Sequence, residues 1–306
     1  MKAIILAGGF AKRLWPLTLR KPKPLLPVGG KPIVDYIMEG IEKIPDIEAV
    51  YVSTNRAFED DFNDWLAHRD FNKAVEIVVE EAKKEEEKFG SIGALNQLFS
   101  WKGKDDYLVI AGDNLSSIDL FSFVKAFDKD TLIALYDLGD PNIAKKRYGV
   151  AVLDENGFVK EFQEKPENPK SSLASAAGYI FPKDVIPLFS EYLANKNNPD
   201  APGYFLQWLK DRRPVKGFVF DGYWYDIGSP EMFIEANRQF SGESVVILGD
   251  VELENSILEN CVVFPGARIK DSHLKNCIIA DNAVIENVKL RDSVIGEHGK
   301  VLGHID

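Results

Sequence analysis

The chain has 306 residues, 45% hydrophobic and 28% charged, a balance that suits one large globular domain or two modest ones. Its formal net charge of -11 counts against general nucleic-acid binding, which calls for a basic face. No apolar run reaches the roughly 18 residues of a membrane span, and the only cysteines, Cys261 and Cys277, imply no disulfide framework. Met1-Lys2-Ala3-Ile4 runs straight into a strand without a signal-cleavage pattern, so the expected location is a reducing cytoplasm.

Ala3–Ala7 reads as an apolar strand that breaks at Gly8-Gly9. The loop beyond carries Lys12, Arg13, Arg20, Lys21 and Lys23, with no acidic residue before Asp35. A buried strand emptying into a glycine-containing cationic loop is how α/β proteins hold phosphates. Glycines admit the anion to backbone N–H groups, and the cations neutralise it. The alternative is a solvated surface loop. Against that, Pro16, Pro22, Pro24, Pro27 and Pro32 fix φ repeatedly, and Leu14, Trp15, Leu17, Leu25, Leu26 and Val28 alternate with the charges.

Ile33–Ile44 then reads as an amphipathic helix, Ala49–Ser53 as a strand, and the stretch through Phe58, Phe62 and Leu66 as a helix. Val75–Val79 is a strand, Ile92–Phe99 a helix, and Tyr107–Ala111 and Thr131–Tyr136 are strands. Strands alternating with helices predict a mainly parallel sheet covered on both faces, with ligands at the carboxyl ends of the strands. From Tyr148 the pattern changes. Gly149–Leu153 and Phe158–Gln163 form a hairpin around Asp154-Glu155-Asn156-Gly157. Ser175–Phe181 is a strand, Val185–Ala194 and Tyr204–Lys210 are helical, Val215–Tyr225 is strand-rich, and Pro230–Phe240 is a helix.

After a break at Ser241–Ser244 comes an internal repeat of about 16 residues. Ile247, Val263, Ile279 and Ile295 form one column, Leu253, Ile269, Ile285 and Val301 a second, and Leu258, Leu274 and Leu290 a third. Stacked periods align such columns into one core, which predicts a β-solenoid of about four coils. Cys261 and Cys277 share a column and read as small core residues rather than metal ligands. The expected domains are 1–240 and 245–306.

The stretch LAGGFAKRLWPLTLRKPKPLLPVGGKPI resembles the N-terminal signature of the sugar-1-phosphate nucleotidylyltransferases, or nucleotide-sugar pyrophosphorylases. It departs from the family pattern at Ala11 and Lys12, where Gly and Thr are usual. Gly-Asp-Asn at 112–114, Trp-Tyr-Asp-Ile-Gly-Ser-Pro at 224–230, Tyr-Gly-Val at 148–150, Glu-Lys-Pro at 164–166, Ala-Gly at 177–178 and Gly-Ser-Ile-Gly-Ala-Leu at 90–95 follow in the family's order. The resemblance implies a Rossmann-like α/β nucleotidyltransferase domain with a mixed, mainly parallel sheet, followed by a short left-handed hexapeptide-repeat β-helix. Spacings such as Val251, Ile257, Val263 and Ile269 fit that helix.

Asp113, just past a strand, could be a turn former or a metal carboxylate. The resemblance implies the latter, with Asp226, for Mg²⁺. It further implies Arg13 and Lys23 as catalytic cations, and Leu6, Ala7, Gly8, Gly9, Gly90 and Ser91 as nucleotide contacts. Gly149, Glu164, Lys165 and Gly178 would hold the sugar phosphate. Glu81, with Glu80 beside it, stands where thymidylyl- and uridylyltransferases often keep a base-reading glutamine, and tilts the base towards guanine, since an ionised glutamate only accepts hydrogen bonds. The implied substrates are an NTP and a sugar 1-phosphate, with a homo-oligomer formed through the β-helix and neither nucleic acid nor membrane as partner. Two alternatives stand beside this reading. A non-catalytic regulatory homologue would be expected to lose the cations and aspartates. A solenoid acyltransferase would need a longer helix around a histidine such as His273, His298 or His304.

Overall fold

The computed structural model describes residues 1–80 and 89–303, in two compact units: Met1–Gly9 with Ile37–Trp224, and Phe10–Tyr36 with Tyr225–Asp306. Its helices, in chain order, are α1 (Ile33–Glu42), α2 (Glu59–Ala67), α3 (Gly90–Lys102), α4 (Leu120–Lys125), α5 (Ile186–Ala194), α6 (Pro202–Leu209) and α7 (Pro230–Ser241).

The first unit is built on a nine-stranded sheet. Its strands are β1 (Lys2–Leu6), β2 (Ala49–Asn55), β3 (Ala74–Glu80), β4 (Tyr107–Ala111), β5 (Thr131–Asp137), β6 (Val150–Leu153), β7 (Val159–Gln163), β8 (Leu173–Phe181) and β9 (Val215–Phe220). They lie in the order β7-β6-β8-β4-β1-β2-β3, with β5 also beside β8 and β9 beside β5. β3, β2, β1 and β4 run parallel, and Ala3, Ile4 and Ile5 are wholly buried, as a central parallel strand requires. β8 runs antiparallel to β4 and β5, so the sheet is mixed. Helices α3, α5 and α6 pack together. Phe189 joins them, with its ring 5.0 Å from that of Phe99 and 4.0 Å from that of Phe205.

In the second unit the last fifth of the chain winds into a triangular parallel β-helix, consistent with the left-handed kind. Equivalent strands pair in register one period apart, Val245 on Cys261, Glu252 on Arg268 and Ile257 on His273. The faces meet at corners with positive φ, Asn255, Asn260, Gly266 and Asp271, and so on through the coils. Asparagine tolerates this conformation better than other residues with a side chain. The corner amides also ladder: Asn260 Nδ2 donates to Asn276 Oδ1 (2.8 Å), and Asn276 Nδ2 donates to Asp292 Oδ1 (2.7 Å). Because these corners recur after five, six and five residues, a strict hexad does not persist. Val263 and Ile269 are core, whereas Ile257 is 61% exposed and Leu258 packs against the core in its place. Cys261 and Cys277 lie in this core as free thiols.

The cationic loop belongs to the same unit. It makes two short 3-10 turns, Lys12–Leu14 and Lys23–Leu25, then a two-residue ladder pairing Pro27–Val28 with Lys31–Pro32. Helix α7 holds that ladder. Its buried Asn237 accepts from Gly29 N (3.1 Å), and the Phe240 ring meets the Tyr36 ring at 4.9 Å. Ala11, the departure from Gly, has φ 46° and ψ 45°. That left-handed conformation costs a residue with a Cβ about 1–2 kcal/mol. Ala11→Gly is therefore expected to stabilise the protein by about 1 kcal/mol, less a part offset by the freer unfolded chain. Urea unfolding of the variant measures this. A lower midpoint would mean that Ala11 does not hold this conformation in solution.

Candidate active site

The parallel register of β1 with β2 and β4 sets Leu6 opposite Ser53 on one side and Ala111 on the other, so β1 and β4 end level and β2 runs on two residues to Asn55. The exit of β1 is pinned there. Ala7 N donates to Ser53 O (2.7 Å), Gly112 N donates to Leu6 O (2.8 Å), and buried Asn55 donates its Nδ2 to Gly8 O (2.9 Å). At Gly8 a Cβ would stand 3.0 Å from Glu80 Oε1, so the glycine lets a carboxyl group sit against the backbone. At Gly9 a Cβ would meet nothing within 4 Å, leaving that backbone open to approach. Glu80 ends β3 and is 7% exposed. Burial pushes its carboxyl up to about 7, although Ser53 Oγ donates to it at 3.4 Å. Glu81, the expected base-reading residue, lies outside the described residues, as does the charged run from Lys83 to Lys88.

Asp113 stands in the turn after β4. Its Oδ1 accepts from Asn114 Nδ2 (2.7 Å), and Asn114 Oδ1 accepts from Trp224 Nε1 (2.6 Å). The Trp224 ring in turn lies 4.8 Å from that of Tyr148, the neighbour of Gly149. An amide and two rings thus fix the orientation of the carboxylate.

Gly149 and Glu164, distant in sequence, are in contact. A Cβ on Gly149 would lie 2.6 Å from Glu164 Oε2. The Glu164 side chain is 6% exposed, and burial raises its pKa against the opposing pull of Lys165, whose Nζ lies 3.7 Å from Oε1. Lys165 itself has φ 47° and an exposed side chain. Ala177 has φ 55° and sits where β8 shifts register against β5, which puts Gly178 at a bulge close to Ala134. Bulges and strained backbone concentrate at binding sites. Gly90 has φ 72°, and the N–H groups of Ser91 and Ile92 donate to Asp200 O and Pro199 O (3.4 and 2.9 Å). Those two donors are therefore already engaged within the protein.

In the second unit, Lys23 is buried with Nζ 3.8 Å from Asp226 Oδ1. The Arg13 guanidinium lies against Gly228, where a Cβ would be 2.8 Å from its terminal nitrogen. Gly228 is thus the reason that the segment from Asp226 can carry an arginine along its backbone. At Lys12, where the family has Thr, the ammonium lies 6.0 Å from the centre of the Trp15 ring.

Among the described residues, no three or more His, Cys, Asp or Glu side chains cluster in a way that could hold a metal. Mg²⁺ asks less of a protein, since one or two carboxylates suffice when phosphate oxygens and water complete the shell. Asp113 and Asp226 are hard oxygen donors of that kind, each held beside a donor neighbour, so the donor chemistry fits. In the first unit Asn114 and Trp224 attend Asp113 and Glu80 attends Gly8, and in the second Gly228 attends Arg13. Asn114, Trp224 and Gly228 were marked in the sequence only by their places in the quoted motifs.

Glu80 yields a test by pH. A carboxyl with pKa 4.5 unfolded and about 7 folded adds nothing unfavourable below pH 4.5, and destabilises progressively as the pH rises to 7. Glu80→Gln should therefore gain on the native chain across that window, levelling off at ~3 kcal/mol. Denaturant unfolding at several pH values measures the gap. A gap that stays constant with pH would mean that the carboxyl is not desolvated.

The nucleotidyl transferase family profile matches residues 2–243. Bifunctional protein GlmU of Methanocaldococcus jannaschii is 31% identical over 272 residues, covering 84% of this chain and 61% of its own length. Mannose-1-phosphate guanylyltransferase of Mycobacterium tuberculosis is 30% identical, covering 77% of this chain and 63% of its own length. The chain thus spans about three-fifths of the length of these curated relatives. Among solved structures, a Bacillus anthracis protein provisionally named glucose-1-phosphate thymidylyltransferase, in complex with sucrose, superposes with TM-score 0.68 at 27% identity, over 79% of this chain and 96% of its own. With the strand ends, glycine contacts and paired motifs described above, this match places the chain in the nucleotidyl transferase family.

Proposed function

We propose that this protein transfers a nucleoside monophosphate from an NTP to a sugar 1-phosphate, giving an NDP-sugar and pyrophosphate, with guanine as the base and a hexose such as mannose or glucose as the sugar. The observation that carries this reading is the pairing of a buried, glycine-backed carboxylate, Glu164, with the exposed cation Lys165. One group accepts from a sugar hydroxyl and the other attracts a phosphate. The name of the Mycobacterium tuberculosis relative, a mannose-1-phosphate guanylyltransferase, supports the same class.

The nucleophile is a phosphate oxygen of the sugar 1-phosphate, already largely dianionic at neutral pH because its second pKa is about 6. No general base is needed. The oxygen forms a bond to the α-phosphorus of the NTP while the bond to the β-phosphate oxygen breaks, and pyrophosphate leaves. Catalysis is then positioning and charge stabilisation. Arg13 grips the β- and γ-phosphates as a planar fork, Lys23 offsets charge at the α-phosphate, and Lys165 holds the acceptor phosphate. Gly149 and Gly178 admit the sugar, Leu6, Ala7, Gly8 and Gly9 meet the nucleotide through their backbone, and Gly90 with Ser91 covers it. Asp113 and Asp226 would hold Mg²⁺, which when bound supplies charge neutralisation for the converging phosphates.

Glu80 bears on the base. Ionised, it accepts from both adjacent donors of guanine, whereas protonated it donates and accepts, as thymine or uracil requires. Two guanine donors would favour the ionised carboxylate, whose proton passes to solvent on binding. The substrates fit a cytoplasmic protein, and no helix among the described residues is long and apolar enough to cross a membrane. The transferase domain on this reading is 1–240 and the β-helix domain 245–306. The β-helix also supports a homo-oligomer. Ile247 and Leu253 stand in columns that are buried one coil on, yet are 46% and 45% exposed.

Pyrophosphate release across a matrix of NTPs and hexose 1-phosphates tests the reaction, with GTP expected to lead. Far better turnover of dTTP or UTP would overturn the base assignment. Asp113→Ala should lower the rate on the order of a hundredfold or more. A rate near that of the native chain would remove Asp113 from the metal site.

A further inference from the structure

Helix α6 comes closer to Glu164 than any side chain on its facing residue would permit. A Cβ on Gly203 would lie 1.7 Å from Glu164 Oε2, 2.5 Å from Cδ and 3.3 Å from Cγ, and these are the three nearest atoms. Gly149 abuts the same oxygen, Oε2, so two glycines make room for this carboxyl. Neither the sequence motifs nor the match to relatives singles out Gly203. Its place inside a helix would by itself favour alanine, the better helix former.

The helix has little freedom to back away. Phe205, Leu206 and Leu209 are wholly buried in the core of the first unit. Gln207 Oε1, one turn on, accepts from the backbone N–H of Glu164 itself (3.2 Å). Upstream, the carbonyls of Pro199 and Asp200 accept from the start of α3, and Gly90 has no room for a side chain, since a Cβ there would lie 2.4 Å from Pro199 O. The segment 199–207 is therefore tied at both ends, and the carboxyl, not the helix, must yield to any added atom.

We propose that Gly203 is a positioning residue for the sugar 1-phosphate: its missing side chain lets α6 close on Glu164 and hold that carboxyl in place to accept a sugar hydroxyl. This deepens the sugar-site reading of Glu164 and rests on it. Gly203 touches neither substrate in this account and acts through Glu164 alone.

The test is a two-residue cycle in the full-length protein. Gly203→Ala should raise KM for the sugar 1-phosphate on the order of tenfold, the loss of one hydrogen bond to a charged group, and leave KM for the NTP unchanged. It should also lower the unfolding temperature. In a Glu164→Ala background the same substitution meets no carboxyl, so it should instead raise the unfolding temperature by about 2–4 °C, alanine's advantage over glycine in a helix. The comparison of Glu164→Ala with the double variant decides the steric claim even if Gly203→Ala alone fails to fold. Equal destabilisation in both backgrounds, or an equal rise in both KM values, would overturn the proposal. Glu164→Gln separates it from the reading beneath. If that variant leaves KM for the sugar 1-phosphate unchanged, the sugar-site reading falls while the stability inversion still stands.

Discussion

β1 is hydrogen-bonded in parallel to β2 on one side and β4 on the other, residue against residue from Lys2 to Leu6. Leu6 and Ala111 end their strands as partners, while β2 runs two residues past Ser53, to Asn55 beside β3, before the chain leaves the sheet. Every polar group near these exits needs a partner, since the strands beneath are buried on both faces. Asn55 meets the Gly8 carbonyl, and Gly112 N–H meets Leu6. Asp113 and Glu80 stand at the ends of β4 and β3, on either side of β1 and β2 in the same sheet. A slip of one residue would exchange the two buried faces of β1 and take Leu6 out of line with Ser53 and Ala111.

The second recurring feature is the desolvated carboxyl set against glycine. Glu80 lies beside Gly8 and Glu164 beside Gly149, and burial raises both pKa values. Such burial costs stability unless hydrogen bonds or charges offset it. At Glu164 the offset is partial, one lysine at 3.7 Å. At Glu80 it is a single long hydrogen bond from Ser53. Carboxyls left short of partners inside a fold are poised to accept from a ligand, and this destabilisation is where function shows most clearly in the energetics. The same trade is visible in backbone strain, with Lys165 and Ala177 at positive φ beside the sugar motifs.

Much of this was legible in the sequence, for physical reasons. Apolar runs such as Ala3–Ala7 and Tyr107–Ala111 mark strands because both their faces are buried. The 16-residue columns mark the solenoid because stacked coils repeat one environment. The alternation with helices and the hairpin turn gave the direction of most strands. Nothing in the pattern of Ser175–Phe181 marks its direction, so the antiparallel run of β8 came only with the fold. Helix α4, six residues long, was too short to show a period. The hexad spacing failed at Ile257 because corner geometry, set by asparagines at positive φ, shortens two turns of each coil. In the site, Asp113, Glu164 and Lys165 stood in recognisable motifs. The contacts that orient them did not, since Trp224 reaches Asn114 across 110 residues and α6 reaches Glu164 across about 40.

The central claim is that a phosphate oxygen of one substrate attacks the α-phosphorus of the other. Following the α-phosphorus tests it most directly. GTP labelled at the α-phosphorus is incubated with the protein, Mg²⁺ and mannose 1-phosphate or glucose 1-phosphate, and the products are separated. The account predicts that the label moves into an NDP-sugar and that the released pyrophosphate is unlabelled. Label recovered as nucleoside monophosphate, or left in the NTP whatever base and sugar phosphate are supplied, would contradict it.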